Sequence, residues 1–374
     1  MSKPLDGLYV GLMSGTSLDA VDAVLLQIGK GGHGQVLAGE SLPLPASLRA
    51  ELLALNTPGH DELTRASLAS VELAKLYADA VEKLLASSGR AAADIIAVGA
   101  HGQTVRHRPG SGYTIQLNAP ALLAELCGID VVADFRSRDI AAGGQGAPLV
   151  PAFHAAQFRT SHTRVVLNLG GIANITILGS DGRISGFDTG PANMLMDAWV
   201  QRCKGLDYDA DGAWASAGRA EETLLACMLQ DGWFSRPPPK STGRDDFNMH
   251  WLEGKLAAAY GNDPAGWPAE ENVQASLLQL TVRSVAAAIR DHAADAQEVL
   301  VCGGGARNRA LMSALSRHLP CSVVPTDVYG LPGQWVEAAA FAWLAWCHEN
   351  RVPAGLPDVT GAHHPRVLGC KYPA

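Results

Sequence analysis

One order of elements, met twice, limits what this 374-residue chain can fold into: three strands, a helix, a strand, a helix and a strand. In the first half, residues 8–14 (LYVGLMS), 22–28 (DAVLLQI) and 35–42 (QVLAGESL) read as strands. Residues 61–88 carry a helical period that Gly89 would stop in the left-handed conformation. Residues 94–101 (DIIAVGAH) form the continuous apolar run of a strand covered on both faces. Asn118 reads as the N-cap of a helix through Leu126, ended by Gly128, and residues 129–135 (IDVVADF) as the next strand. The second half follows with strands at 164–170, 174–179 and 184–190 and a helix at 193–202. Helical segments around 221–230 and 273–292 come next, then a strand at 298–304, a helix at 308–318, a strand at 321–326 and a helix at 336–347. The residues align at no fixed period, so it is the architecture that repeats. The expected fold is α/β in two lobes, each a mixed sheet flanked by helices, with a cleft between them. The expected boundaries are 1–135 and 136–349, with a segment from about 350 to 374 packing back on the first lobe.

Composition narrows the partners. Lys and Arg number 29 against 37 Asp and Glu, a net charge of −8, which argues against nucleic acid or an anionic membrane. At 47% hydrophobic and 18% charged residues the chain is no disordered tail. Its 40 glycines point to tight turns or ligand-cradling loops. The seven cysteines are scattered, with no CxxC pair, which fits a reducing cytoplasm. The N-terminal MSKPLDGLYVGLMSG lacks the long apolar core of a signal peptide. The most apolar stretch, WVEAAAFAWLAWC, carries Glu337 and has 13 residues, short of the ~20 that span a bilayer. The expectation is a soluble cytoplasmic protein acting on small molecules.

Three glycine-rich turns could hold phosphate. GLMSGTSLDAVDA (residues 11–23) sets backbone N–H groups and two hydroxyls between two strands. Asp19 and Asp22 would repel a bare phosphate there, and they make sense beside Mg²⁺, a Lys or Arg, or a sugar hydroxyl; a plain hairpin is the alternative. LNLGGIANIT (167–176) brings Asn168, Gly170 and Gly171 to a second turn. VLVCGGGARN (299–308) places Gly303, Gly304, Gly305 and Asn308 between a strand and a helix N-terminus, where an anion is favoured. GKGGHG (29–34) has GxGxxG spacing but leads into a strand, so it reads as a hairpin turn. No GxxxxGK[ST], HExxH or GxSxG motif occurs, and His363–His364 read as a solvated loop.

The chemistry-bearing candidates lie at strand ends. GFDTGPAN (186–193) puts Asp188 at the end of a strand, where it can act as a general base or cap the next helix; Thr189, Asn193 and the Gly-Pro pair already supply capping, which favours the base. AHGQTVRHRPG (100–110) and DFRSRDIAAGGQGAPLVP (134–151) offer His101, Gln103, Arg136, Asp139 and Gln145 for hydrogen bonds to a polyhydroxylated or acidic small molecule. Asn193 joins this substrate-side set. PPPKSTGRDDF (237–247) carries Lys240 and Arg244, either as an anion clamp or as a solvated connecting loop.

These strings, together with MSGTSLDAVD, LNLGGIANIT, GFDTGPANMLMDAW, CGGGARN and WVEAAAFAWLA, resemble the anhydro-N-acetylmuramic acid kinase family from about Gly11 to about Ala345, in the same order. The resemblance implies a two-lobed actin-like ATPase fold, as in acetate and sugar kinases, Hsp70 and actin. It implies ATP as phosphoryl donor with Mg²⁺, whose ligands stay unassigned, and a possible homodimer. It implies opening of 1,6-anhydro-N-acetylmuramic acid with water and phosphorylation at O6, a step of peptidoglycan recycling. The family's ATP-contacting turn maps to Gly15, Thr16, Ser17, Leu18, Asp19, Ala20, Val21 and Asp22, and its catalytic aspartate to Asp188. Two departures are visible: Ala20 stands where Gly is common, and Gln334 where an acidic residue is common. Two rivals stand beside this reading. One is a conventional hexose or acetate-type kinase with Asp188 deprotonating a hydroxyl; the other is a nucleotide-gated regulatory protein on the same fold.

Overall fold

The computed structural model describes residues 6–15 and 18–374. Its strands are β1 (Gly7–Ser14), β2 (Ala20–Ile28), β3 (Gly34–Pro43), β4 (Ile95–Ala100), β5 (Gln103–Arg108), β6 (Tyr113–Leu117) and β7 (Val131–Ala133). They continue with β8 (Arg164–Leu169), β9 (Ile172–Leu178), β10 (Ile184–Pro191), β11 (Glu298–Cys302), β12 (Ser322–Pro325) and β13 (Cys370–Tyr372). Two units result: the first runs to Phe158 and resumes at Trp335, and the second is Arg159–Gln334.

The first unit's sheet has the order β13-β7-β4-β1-β2-β3. Its β1–β2 and β2–β3 pairs are antiparallel, and its β1–β4 and β4–β7 pairs parallel. The second unit's sheet has the order β10-β9-β8-β11-β12 with the same orientations. In both, the third, second, first, fourth and fifth strands lie side by side. The repeat expected from the element order is therefore a duplicated topology, the α/β arrangement of the actin-like class. The hairpin β5–β6 was not foreseen, nor were the helices Ala46–Ala54, Val150–Phe158 and Met249–Tyr260. GKGGHG is a turn between β2 and β3, as expected.

Alternation along β1 divides the first unit into two packed faces. Leu8, Val10 and Leu12 point to the helix Glu62–Ser88, which buries Leu73, Tyr77, Val81 and Leu84 at helical spacing and ends at Gly89 in the left-handed conformation (φ 65°). The other face receives the helix Val336–Glu349. Gly11 on β1 and Gly99 on β4 lie opposite one another. A Cβ on Gly11 would come 2.7 Å from the Ala342 nitrogen, and one on Gly99 would come 2.7 Å from the Phe341 carbonyl carbon. The bare glycine pair thus lets the helix backbone lie directly on the sheet. This helix was expected with the second lobe, since the boundaries were set at 135 and 349. It packs in the first unit instead because its small residues fit the groove those glycines leave. β13 pairs antiparallel with β7 in the same unit.

Asn118 is not the helix cap it was expected to be. The helix is Pro120–Cys127 with Ala119 at the cap, since Pro suits the first helical turn. The Asn118 amide donates instead to the Ala100 carbonyl (3.4 Å). The second unit buries Val165, Leu167, Val299 and Val301 against the helices Asn193–Lys204 and Glu270–His292. No helix among the described residues is long and apolar enough to cross a membrane.

Candidate active site

Asp188 lies on β10 beside a register shift in the β9–β10 pairing between Asp188 and Gly190. Such a bulge re-aims a side chain out of the ladder. Gly190 (φ 142°) follows, with the Phe234 ring against it, so that a Cβ there would come 2.7 Å from that ring. The Pro237–Phe247 run, read earlier as a clamp or a connecting loop, brackets this aspartate with its backbone. The Asp188 N–H donates to the Lys240 carbonyl (3.1 Å), and the Thr242 N–H donates to Asp188 Oδ2 (2.9 Å). Among the described residues Oδ1 takes no hydrogen bond. Burial pushes the carboxyl up to about 6, against the pull of the Thr242 N–H. The Lys240 ammonium itself donates to the Phe234 carbonyl and lies 4.5 Å from the Trp233 ring centre.

The two glycine turns of the second unit adjoin one another. Gly170 and Gly171 join β8 to β9, and their carbonyls accept from the backbone N–H groups of Asn193 and Ala192 (3.1 and 2.9 Å). The Asn193 amide donates to the Leu169 carbonyl (3.0 Å). Gly303, with φ 81°, has no room for a Cβ beside Asn168 and Leu169, and a Cβ on Gly305 would come 2.6 Å from Leu169. Asn308 caps the helix Arg309–His318 by accepting from the Leu311 N–H (3.0 Å). Gly303 and Gly333 line a cavity of about 360 Å³ with Arg307, Asp327 and Gln334.

In the first unit the Leu18 N–H closes on the Gly15 carbonyl (3.1 Å), and Leu18 has φ 57°. Thr16 and Ser17 lie outside the described residues. Asp19 is exposed and pairs with Arg49 (3.2 Å), a contact of little energetic weight. Ala20, Val21 and Asp22 begin β2; Val21 is buried opposite Ser14. Burial raises the Asp22 carboxyl, with a hydrogen bond to Ser41 opposing it.

His101, Gln103, Arg136, Asp139 and Gln145 gather near the turn after β4, whereas Asn193, also expected on the substrate side, lies with the glycine turns of the second unit. Arg136 donates from Nε and Nη2 to His101 Nε2 (3.1 and 2.9 Å) and from Nη1 to the Gly146 carbonyl (2.8 Å). Burial and the guanidinium hold the imidazole far below its ordinary pKa, so this ring is neutral. Burial also brings Arg136 down to about 10, with Glu337 and Asp139 opposing. Gln103 Oε1 and Asn118 Oδ1 are buried acceptors with no partner among the described residues. Asp139 is buried and accepts from Thr360 Oγ1 (2.8 Å) and the Gly146 N–H (2.7 Å), so its carboxylate faces the protein. Gln145 is exposed, tied through its N–H to the Thr360 carbonyl (2.8 Å).

Two contributors went unread in the sequence. Thr242 acts through its backbone, which leaves no trace in residue type. Glu337 is the one charge in the apolar run of its helix, and that was the available signal. Burial and Asp22 push its carboxyl up while Arg136 pulls it down.

The sequence model described as "AnmK: Anhydro-N-acetylmuramic acid kinase" matches residues 7–374. The chain belongs to the anhydro-N-acetylmuramic acid kinase family. A protein of that name from Bordetella petrii is 58% identical over 98% of this chain and 96% of its own length. Another from Chromobacterium violaceum is 52% identical over 98% of this chain and 99% of its own. Among solved structures, the activator of the 2-hydroxyisocaproyl-CoA dehydratase from Clostridium difficile with bound ADPNP aligns at 15% identity. Its TM-score is 0.46, and the alignment covers 92% of this chain and 97% of that one.

Proposed function

We infer that this protein is an ATP-dependent kinase that opens 1,6-anhydro-N-acetylmuramic acid with water and phosphorylates O6. The products are N-acetylmuramic acid 6-phosphate and ADP, and the step belongs to cytoplasmic peptidoglycan recycling. Family membership supports the substrate; the observation that carries the chemistry is Asp188, a strand-end carboxylate held by one N–H with its second oxygen unengaged. In this reading Asp188 takes a proton from water as the water oxygen bonds to the anomeric carbon. The bond from that carbon to O6 breaks, and O6 takes the γ-phosphoryl group as ADP leaves. The departing oxygen is captured by phosphorus, so no second carboxylate is needed to protonate it.

Gly15–Asp22, Gly170–Gly171 and Gly303–Gly305 are the proposed nucleotide contacts, Asn168 and Asn308 supporting their turns. His101, Gln103 and Arg136 are the proposed sugar side. Asp139 and Gln145 shape the backbone around it, and Asn193 supports the Leu169 carbonyl beside the second glycine turn. Asn118 joins the sugar side, since its acceptor, like that of Gln103, is buried without a partner among the described residues and suits sugar hydroxyls. Mg²⁺ belongs to the same reading. No group of three ligating side chains occurs among the described residues, which suits an ion carried mostly by phosphates and water. Asp22, next to Glu337 and with no cationic partner among the described residues, is the carboxylate that fits it. Bound there, the ion would neutralise phosphate charge. The implied homodimer is part of this proposal.

Turnover in H₂¹⁸O decides between this reaction and direct deprotonation of a sugar hydroxyl. ADP release dependent on the anhydro sugar, with ¹⁸O at the anomeric carbon of the product, is the expected result; unlabelled product, or no sugar-dependent ADP, overturns it. The pH profile is a second check. A base with its carboxyl at about 6 is active when ionised, so kcat/KM should fall tenfold per unit below that midpoint and level off above it.

A further inference from the structure

The helix Glu62–Ser88 meets the residues around Gly15 and His101 through one hydroxyl. Tyr77 is fully buried, and its Oη lies 3.0 Å from Ser14 Oγ. Ser14 Oγ lies 3.2 Å from the Gly102 carbonyl and donates to it. A serine has one hydroxyl proton, so with that proton on Gly102 the proton between the two hydroxyls is tyrosine's. A chain results: Tyr77 O–H to Ser14, then Ser14 O–H to the Gly102 carbonyl.

Its members are placed with consequence. Ser14 ends β1 and immediately precedes Gly15. Gly102 separates His101 from Gln103, has φ 77°, and a Cβ on it would come 2.5 Å from the Leu117 carbonyl oxygen. Filling this part of the apolar helix face needs only the aromatic ring, and a buried hydroxyl must be matched by hydrogen bonds to be tolerated at all.

We propose that Tyr77 is a positioning residue that, through Ser14, holds Gly15 and the His101–Gln103 turn in fixed register. This rests on the reading of Gly15 as nucleotide-facing and of that turn as sugar-facing. The test compares Tyr77→Phe, Ser14→Ala and the double variant, assayed well below their melting temperatures so that folded protein is compared with folded protein. Each single change should lower kcat/KM for the anhydro sugar about tenfold, equivalent to ~1.4 kcal/mol. The double variant should be no worse than the weaker single one, because either change breaks the chain. A merely structural role predicts wild-type kinetics at that temperature or losses that multiply, and either result overturns the proposal. Should Tyr77→Phe not fold, Ser14→Ala carries the test alone, and unaltered sugar kinetics there overturns it. Hydrogen exchange of the His101 amide, which donates to the Leu12 carbonyl of β1 (3.1 Å), separates this from the parent reading. It should quicken about tenfold in both variants even if the protein proves inactive on the anhydro sugar, and unaltered exchange would overturn the link itself.

Discussion

Asp188→Asn should yield a protein that turns over at least about 10²- to 10⁴-fold more slowly than wild type, the usual weight of a general base, and that melts at a higher temperature. The two outcomes share a cause. Burial raises the Asp188 carboxyl from 3.8 to about 6, so the fold prefers the neutral form. A raised carboxyl adds a folding cost that grows as pH climbs from about 4 to about 6 and remains above it. Asparagine carries no charge and its amide oxygen still accepts the Thr242 N–H, so the cost vanishes. At 1.36 kcal/mol per pH unit the ceiling is ~3 kcal/mol; with Asp188 partly open to solvent, about 1–2 kcal/mol and a few degrees in Tm are expected. Melts at pH 7.5 and pH 4 check the sign: the gap should be open at the first and closed at the second. Equal melting temperatures at pH 7.5 would mean that the carboxylate sits there without strain.

The second large effect lies away from the chemistry. Gly11→Ala or Gly99→Ala should cost about 3 kcal/mol or more, the upper end of overpacking, or prevent folding outright. At each position the added methyl meets the main chain of the helix Val336–Glu349, near Ala338 and Ala342 or near Phe341, and main chain cannot rotate away as a side chain can. Gly29→Ala is the control, with nothing within 4 Å of its Cβ and an ordinary φ of −106°; it should stay within about 0.5 kcal/mol of wild type. Urea unfolding of the three variants measures the differences, and equal midpoints for Gly11→Ala and Gly29→Ala would refute the tight seating.

Much of this was readable before any coordinates. The duplicated strand order followed from apolar runs and turn residues, and Asp188 stood out because a strand, a Gly-Pro pair and a helix start surround it. What escaped depends on where distant segments meet. Asp22 and Arg136 both act electrostatically on Glu337, the first across more than 300 positions of sequence, and no local pattern reports that. The same limit explains Asp139 and Asn308. Residue type shows that a side chain can bond, while only the fold shows that Thr360 and Gly146, or Leu311, have already taken its oxygens. The unit boundary was misplaced for a related reason: a helix apolar on nearly all sides says it will be covered, but not by which sheet.

The return of the chain to its first unit at Trp335 sets an order of events during synthesis. Residues 159–334 are contiguous and can complete their sheet as they leave the ribosome. The glycine-lined groove on β1 and β4 stays uncovered throughout that interval, because the helix that seals it is translated later. A nascent chain stalled before Val336 would therefore carry a finished second unit and a sticky, half-built first one, the form that chaperones retain and proteases clear.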